Sequence, residues 1–139
     1  MQKSKIRVVV DTNWWVSFVI NRFKSQLAEA LLNPRLEFYS SDELDEEILE
    51  TLNSSDLQKF VLPEIKAEFL ALYPVAVVRI PVISEVTLCR DAKDNFQLSL
   101  SKDAKAHYLV TGDKDLLVLN KFGKTRILKM TDFLEAIKV

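Results

Sequence analysis

Asp11 follows directly on the run Val8-Val9-Val10, and Asp113 stands two residues beyond the strand-like segment His107–Thr111, so two carboxylates close two candidate strands. Asp94 opens a candidate helix, and the helix expected after Ser41 carries six more acids. Carboxylates crowded together repel or raise one another's pKa unless a cation lies among them. A hard divalent ion takes oxygen ligands, and Mg²⁺ typically combines few protein carboxylates with water and substrate phosphate. A lone aspartate after a strand is otherwise a turn or helix cap. Two such positions on different strands point instead to a shared centre. Cys89 is the single cysteine and His107 the single histidine, which excludes a cysteine-based or histidine-rich zinc site. Any metal would be held by oxygen. Cys89 reads as a small buried hydrophobe and His107 as a structural residue of its strand.

Among the acids after Ser41, helical geometry selects one. Leu44, Ile48 and Leu52 recur every four residues and define a buried stripe, which Glu47 and Thr51 flank while Glu46 and Glu50 point away. Glu47 is the carboxylate at the edge of the core. Glu43, Glu46 and Glu50 read as a solvated face.

These acids need a scaffold to bring them together. Ile6–Val10 reads as a buried first strand, Trp14–Ile20 and Ser25–Leu32 as two short helices, and Leu36–Tyr39 as a second strand. Ser41 is an N-cap for a helix to about Leu52, and a further helix is expected from Pro63 to Leu72. Val75–Ile80, His107–Thr111 and Thr125–Leu128 read as strands, Asp94–Lys102 as a helix, and Thr131–Ile137 as a capped closing helix. Strands alternating with helices imply βαβ units, a mostly parallel sheet covered on both faces, and ligand sites beyond the carboxyl ends of the strands.

The chain has 139 residues, 48% of them apolar, with two glycines, no repeat and no linker, which predicts a single domain over residues 1–139. Lys3, Lys5 and Arg7 lead into too short an apolar run for a signal peptide, and no stretch approaches the roughly 20 apolar residues of a membrane span. The expected location is cytoplasmic, with no membrane partner. The balance of 19 basic and 20 acidic residues argues weakly against nucleic acid as a partner. Setting aside Asp11, Glu47, Asp91, Asp94 and Asp113 as a metal cluster leaves 15 acids against 19 bases. A basic rim around a cation-filled acidic hole would suit phosphate binding.

Val8-Val9-Val10-Asp11-Thr12-Asn13, then Ser41 leading to Glu47-Ile48 and Leu52, then Cys89-Arg90-Asp91-Ala92-Lys93-Asp94-Asn95-Phe96, then Tyr108-Leu109-Val110-Thr111-Gly112-Asp113-Lys114-Asp115-Leu116-Leu117 together resemble the PIN-domain family. The likeness is greatest to PIN proteins described as toxins of toxin–antitoxin pairs. It runs from about Val8 to Leu119 in the same order. The resemblance implies a three-layer α/β/α sandwich and a metal-dependent endoribonuclease acting on single-stranded or structured RNA. It implies that Asp11, Glu47, Asp94 and Asp113 surround Mg²⁺ or Mn²⁺, with Thr12, Asn13, Asp91, Thr111 and Asp115 in support. It also implies a homodimer and a small antitoxin protein as partners. The chain departs from the family in Trp14-Trp15, where smaller aliphatics are usual, and in Ser99 and Ser101 near a position often held by alanine.

Two other readings compete. A phosphatase with an aspartyl nucleophile, or a receiver domain, would carry a second carboxylate beside the first, but Thr12 and Asn13 follow Asp11. A PIN-like protein-binding module without activity would not need all four acids. Trp14 and Trp15 could stack on unpaired bases, yet adjacent residues of a helix point apart, so at least one belongs to the core or to an oligomer contact. Arg90, Lys93 and Lys114 flank the acids and suit either phosphate contact or solubility.

Overall fold

Val8, Val9 and Val10 are all buried, although successive residues of a strand face opposite sides of the sheet. Both faces of that strand are therefore covered, as its unbroken apolar run requires. The structure is a computed structural model describing residues 5–138. Lys3, part of the basic N-terminal stretch noted above, lies outside them.

The strands are β1 (Ile6–Val10), β2 (Leu36–Ser40), β3 (Val77–Arg79), β4 (Tyr108–Val110), β5 (Lys121–Phe122) and β6 (Thr125–Leu128). They form one sheet in the order β3-β2-β1-β4-β6-β5, parallel except for the β5–β6 hairpin. The helices are α1 (Thr12–Ile20), α2 (Gln26–Leu31), α3 (Asp42–Leu52), α4 (Pro63–Ala76), α5 (Ala92–Asp103), α6 (Lys114–Leu117) and α7 (Met130–Ala136). This is the α/β sandwich expected. From β1 the chain winds outward through β2 to β3, then returns to place β4 on the other side of β1. Crossovers between parallel strands are right-handed as a rule, so a reversal of winding direction sends the helices of the two halves to opposite faces. The reversal between β1 and β4 leaves a crevice beyond their carboxyl ends. Asp11 and Asp113 lie just past those two ends.

One half of the sheet is sealed by aromatic packing. Trp15, 1% exposed, meets Tyr73 at 4.9 Å between ring centroids, and Phe18, Phe38 and Phe69 lie within 6.4 Å. Trp15 is therefore a core residue and has no face free for a base. Trp14 is half-buried against the same core.

The largest departure from the sequence reading concerns Val75–Ile80. Helix α4 continues through Pro74 to Ala76, and only Val77–Arg79 pair as a strand. Phe69 and Tyr73, one helical turn apart, anchor α4 on the Trp15 cluster and carry the helix past the β-branched residues. The short elements α6 and β5 appear as additions, and α7 starts at Met130 with no side-chain cap on its first turn. Among the described residues no helix is long and apolar enough to cross a membrane.

Candidate metal centre

The aspartates are presented at element ends, whereas Glu47 lies in the middle of α3. Asp11 caps α1, its Oδ1 accepting the Asn13 amide at 3.3 Å, while its own amide donates to the Val110 carbonyl at 2.9 Å and ties the cap to β4. Asp113 caps α6 and accepts the Asp115 amide at 2.8 Å. Asp91 caps α5 and accepts the Lys93 amide at 2.9 Å, which places Asp94 in the first turn. Three aspartates of the site thus take the cap position that suits them. The carboxylate meets the positive end of a helix there.

Two hydrogen-bonding side chains fix these carboxylates further. The Thr111 hydroxyl donates to Asp11 Oδ2 at 2.6 Å and accepts the Asp113 amide at 3.0 Å, joining the two strand ends through one oxygen. Gln97 Nε2 donates to Asp11 Oδ1 at 3.0 Å. Asp11, Thr111 and Gln97 are all buried. Gln97 was not anticipated from sequence. It lies three residues after Asp94 on α5, on the same helical face, which is the signal that could have found it.

Ligand oxygens of Asp94, Asp113 and Asp115 all lie within 4.8 Å of one another. Asp94 is 4% exposed. Burial, then the adjoining Asp113, then the charges of Asp91 and Asp11 push the Asp94 carboxyl up to about 7. Glu47 is half-buried on α3. Burial raises its pKa as well, and the charges of Asp11 and Asp91 act in the same direction, while Thr12 and Lys93 oppose the rise. The Thr12 hydroxyl is buried without a partner at full hydrogen-bond geometry, as is Gln97 Oε1. Its influence on Glu47 is therefore one of proximity.

The expected residues thus divide into groups. Asp94 and Asp113 meet directly, and Asp115, expected only in support, joins them. Asp11 and Glu47 stand outside that tight trio, close enough for their charges to act on each other and for Asp11 to act on Asp94. Thr12 and Thr111 are buried beside them, whereas Asn13 and Asp91 are exposed and act through capping bonds. Arg90 reaches Asp115 at 3.7 Å with a side chain 91% exposed, a weak pairing.

Neither other candidate nucleophile competes with the acids. Cys89 is braced by Asn95, which accepts its amide at 2.7 Å and donates to its carbonyl at 2.9 Å. Burial and the surrounding acids, Asp94 foremost, raise the thiol pKa and keep it protonated. His107 Nδ1 accepts the Arg7 amide at 3.0 Å, a structural role.

The donor set is hard oxygen throughout, and the crowding that raises the Asp94 pKa is what a bound cation would relieve. Those properties fit a divalent ion of the Mg²⁺ or Mn²⁺ type. The family described as PIN domain matches residues 7–115. The chain belongs to the PIN-domain family. An uncharacterized protein of Methanocaldococcus jannaschii is 30% identical over 127 residues, covering 89% of this chain and 81% of its own length. PIN domains are generally nucleases, a class of hydrolases, and typically use divalent metals. In this PIN domain the matched region runs from the second residue of β1 to the second residue of α6 and includes all nine residues expected at the site.

Proposed function

We propose that this PIN-domain protein is a Mg²⁺- or Mn²⁺-dependent endoribonuclease. The observation that carries the reading is the convergence of Asp94, Asp113 and Asp115 within 4.8 Å around a carboxyl pushed up to about 7. Asp11, Glu47, Asp94 and Asp113 would hold the ion, with Asp115 as an additional ligand. A bound divalent ion would activate water and stabilise charge on the phosphate and the leaving oxygen.

The protein's own contribution is placement. Thr111 and Gln97 hold Asp11 in one orientation, so its lone pairs are not free to turn toward other donors. Thr111 also fixes the Asp113 backbone. Asp91 and Asp113 set the first turns of their helices. Lys93 and Lys114 supply positive charge beside the acids, where an approaching phosphodiester needs it. Thr12 and Asn13 occupy the start of α1, where an aspartyl-phosphatase or receiver domain would carry its second acid, which disfavours that alternative.

The experiment is cleavage of a labelled single-stranded RNA with Mn²⁺ or Mg²⁺ and in excess chelator, together with Mn²⁺ titration by calorimetry. Cleavage that stops with chelator supports the reading. A protein that binds Mn²⁺ but cuts no RNA would favour the non-catalytic protein-binding module.

A toxin role with a small antitoxin and a homodimeric state belong to the same proposal. Exposed Leu70, Leu72 and Val75 on α4, with Val78 on the edge strand β3, offer apolar surface for association. Light scattering of the purified chain and co-purification from its source check both; a strict monomer with no partner would oppose them.

A further inference from the structure

At the amino ends of β1, β4 and β6 lies a second cavity of about 630 Å³, within the size range of small-ligand sites. It is remote from the acids. Arg7 and Asp11 are four residues apart along β1, about 13 Å at strand rise. Ser101 and Asp94 are seven apart along α5, about 10 Å at helical rise.

Its lining has one sign of charge. Arg7, Lys102, Lys105 and Lys124 all face it and no carboxylate does. Among the described residues none of the four makes a salt bridge. Arg7 is held in place by its Nε, which donates to the Lys105 carbonyl at 2.9 Å. Because His107 Nδ1 accepts the Arg7 amide, the ring proton sits on Nε2, and the imidazole adds a neutral donor to the lining. Phe122 supplies an apolar wall.

Two further features set this cavity apart from an ordinary basic surface. Ser101 lines it, is 0% exposed, and its hydroxyl has no partner. A helical serine commonly turns back on the preceding turn, and a buried hydroxyl left unpaired is costly. Lys105 occupies a left-handed position, φ 53°, at the end of α5, where Ala106 closes the helix by donating to the Ser101 carbonyl at 2.9 Å. Glycine is the usual residue there, because a side chain is strained. A lysine at that place puts a cation at the mouth of the cavity at a cost to the fold.

We propose that this cavity binds a mononucleotide, its phosphate held by Arg7, Lys102, Lys105 and Lys124 with the Ser101 hydroxyl, and its base against Phe122. The phosphate monoester matches the concentrated charge. A flat base matches the aromatic wall, and the volume accommodates one nucleotide. The inference is independent of the nuclease reading, since it uses no residue of the acidic centre.

The test is calorimetric titration of the full chain with adenosine 5′-monophosphate in excess chelator, which silences any metal-dependent binding at the acids. Saturable binding is expected at a Kd of about 1 mM or tighter. Adenosine alone should not bind, and inorganic phosphate should bind at least about tenfold more weakly, the factor set by loss of the base contact. Lys102→Ala with Lys124→Ala should weaken binding about tenfold or more. Lys105→Gly should weaken binding yet leave the melting temperature unchanged or raised, because glycine relieves the strained backbone. Asp94→Asn should bind like the wild type. Absence of saturable binding, indifference to the lysine substitutions, or loss of binding in Asp94→Asn would overturn the proposal. So would an RNA oligonucleotide that binds through the same lysines about a hundredfold more tightly than the mononucleotide, which would make the cavity part of an RNA track.

Discussion

The two ends of the sheet solve opposite electrostatic problems. At the carboxyl end, acids gather around the buried Asp11 and Asp94; capping bonds orient Asp11, Asp91 and Asp113, and Thr111 and Gln97 fix Asp11 further. At the amino end, cations surround an open cavity on flexible side chains, with only Arg7 tethered. Burial raises the pKa of Asp94 and makes that centre respond to protons and metal. The exposed cations of the other end respond to salt instead. One end is preorganised and strained by charge; the other is adaptable.

The largest effect should come from Asp94→Asn. The change removes a ligand and should reduce RNA cleavage at least about a thousandfold, equivalent to about 4 kcal/mol of barrier. In chelator the same variant should melt higher than wild type, since a buried acid beside Asp113 is replaced by a neutral amide. Asp11→Asn should lose activity too but without that gain. Its carboxylate accepts from Thr111, Gln97 and Asn13, and an amide would set one N–H against those donors. Opposite melting shifts for the two variants would confirm that Asp11 is fixed by hydrogen bonds and Asp94 by charge. Equal shifts would break the distinction.

Stability without metal should also depend on pH in a direction set by Asp94. In the folded chain its proton is held up to about 7, against an ordinary 3.8. Between those values the folded state binds more protons than the unfolded state, so stability falls as pH rises through this window and levels off above it. Melting in chelator should therefore be higher near pH 5 than near pH 8. Added Mn²⁺ should reverse the trend, because ligands must lose their protons to bind it. A flat profile without metal would show that Asp94 is ionised throughout.

These two ends also differ in how far they could be read from sequence. Asp11, Asp94 and Asp113 sit against strand or helix ends, so period and capping locate them. The alternation of strands and helices implied a parallel sheet with sites beyond its carboxyl ends, whereas the adjacency of β1 and β4 is seen only in the fold. Glu47 followed from the stripe of Leu44, Ile48 and Leu52, all of them buried. Gln97 escaped because an amide on a helix face has no distinctive pattern until its partner is known. Lys102, Lys105 and Lys124 escaped for a related reason: lysines on surfaces are common, and only the fold brings α5, the turn after it and the β5–β6 hairpin around Arg7. The overrun of α4 past Val75 shows a limit of another kind. β-Branched residues favour a strand locally, but the packing of Phe69 and Tyr73 on Trp15 decides in favour of helix.

A next smaller effect contrasts hydroxyls at the two ends. Thr111 both donates to Asp11 and accepts from the Asp113 amide, so Thr111→Val keeps the shape and leaves two buried polar groups short of a partner. The expected cost is about 1–3 kcal/mol in denaturant unfolding. Activity should fall with it, since Asp11 is no longer held.

Ser101→Ala should have the smallest effect on the isolated chain. Its hydroxyl is as buried as that of Thr111, at 0% exposure, but has no protein partner to lose. Removing it discards a desolvated polar group and leaves a void of a single oxygen atom, two terms that are small and opposed. Alanine also favours the helix interior over serine. Denaturant unfolding should therefore differ from wild type by no more than about 0.5 kcal/mol, in either direction. The contrast with Thr111→Val is the informative quantity, because burial is matched and only the hydrogen-bonding differs. A loss of 1 kcal/mol or more on Ser101→Ala, about what one made hydrogen bond is worth, would mean that this hydroxyl is satisfied in solution without a nucleotide. The comparison between a built acidic centre and a cavity waiting for its ligand would then fail at the amino end.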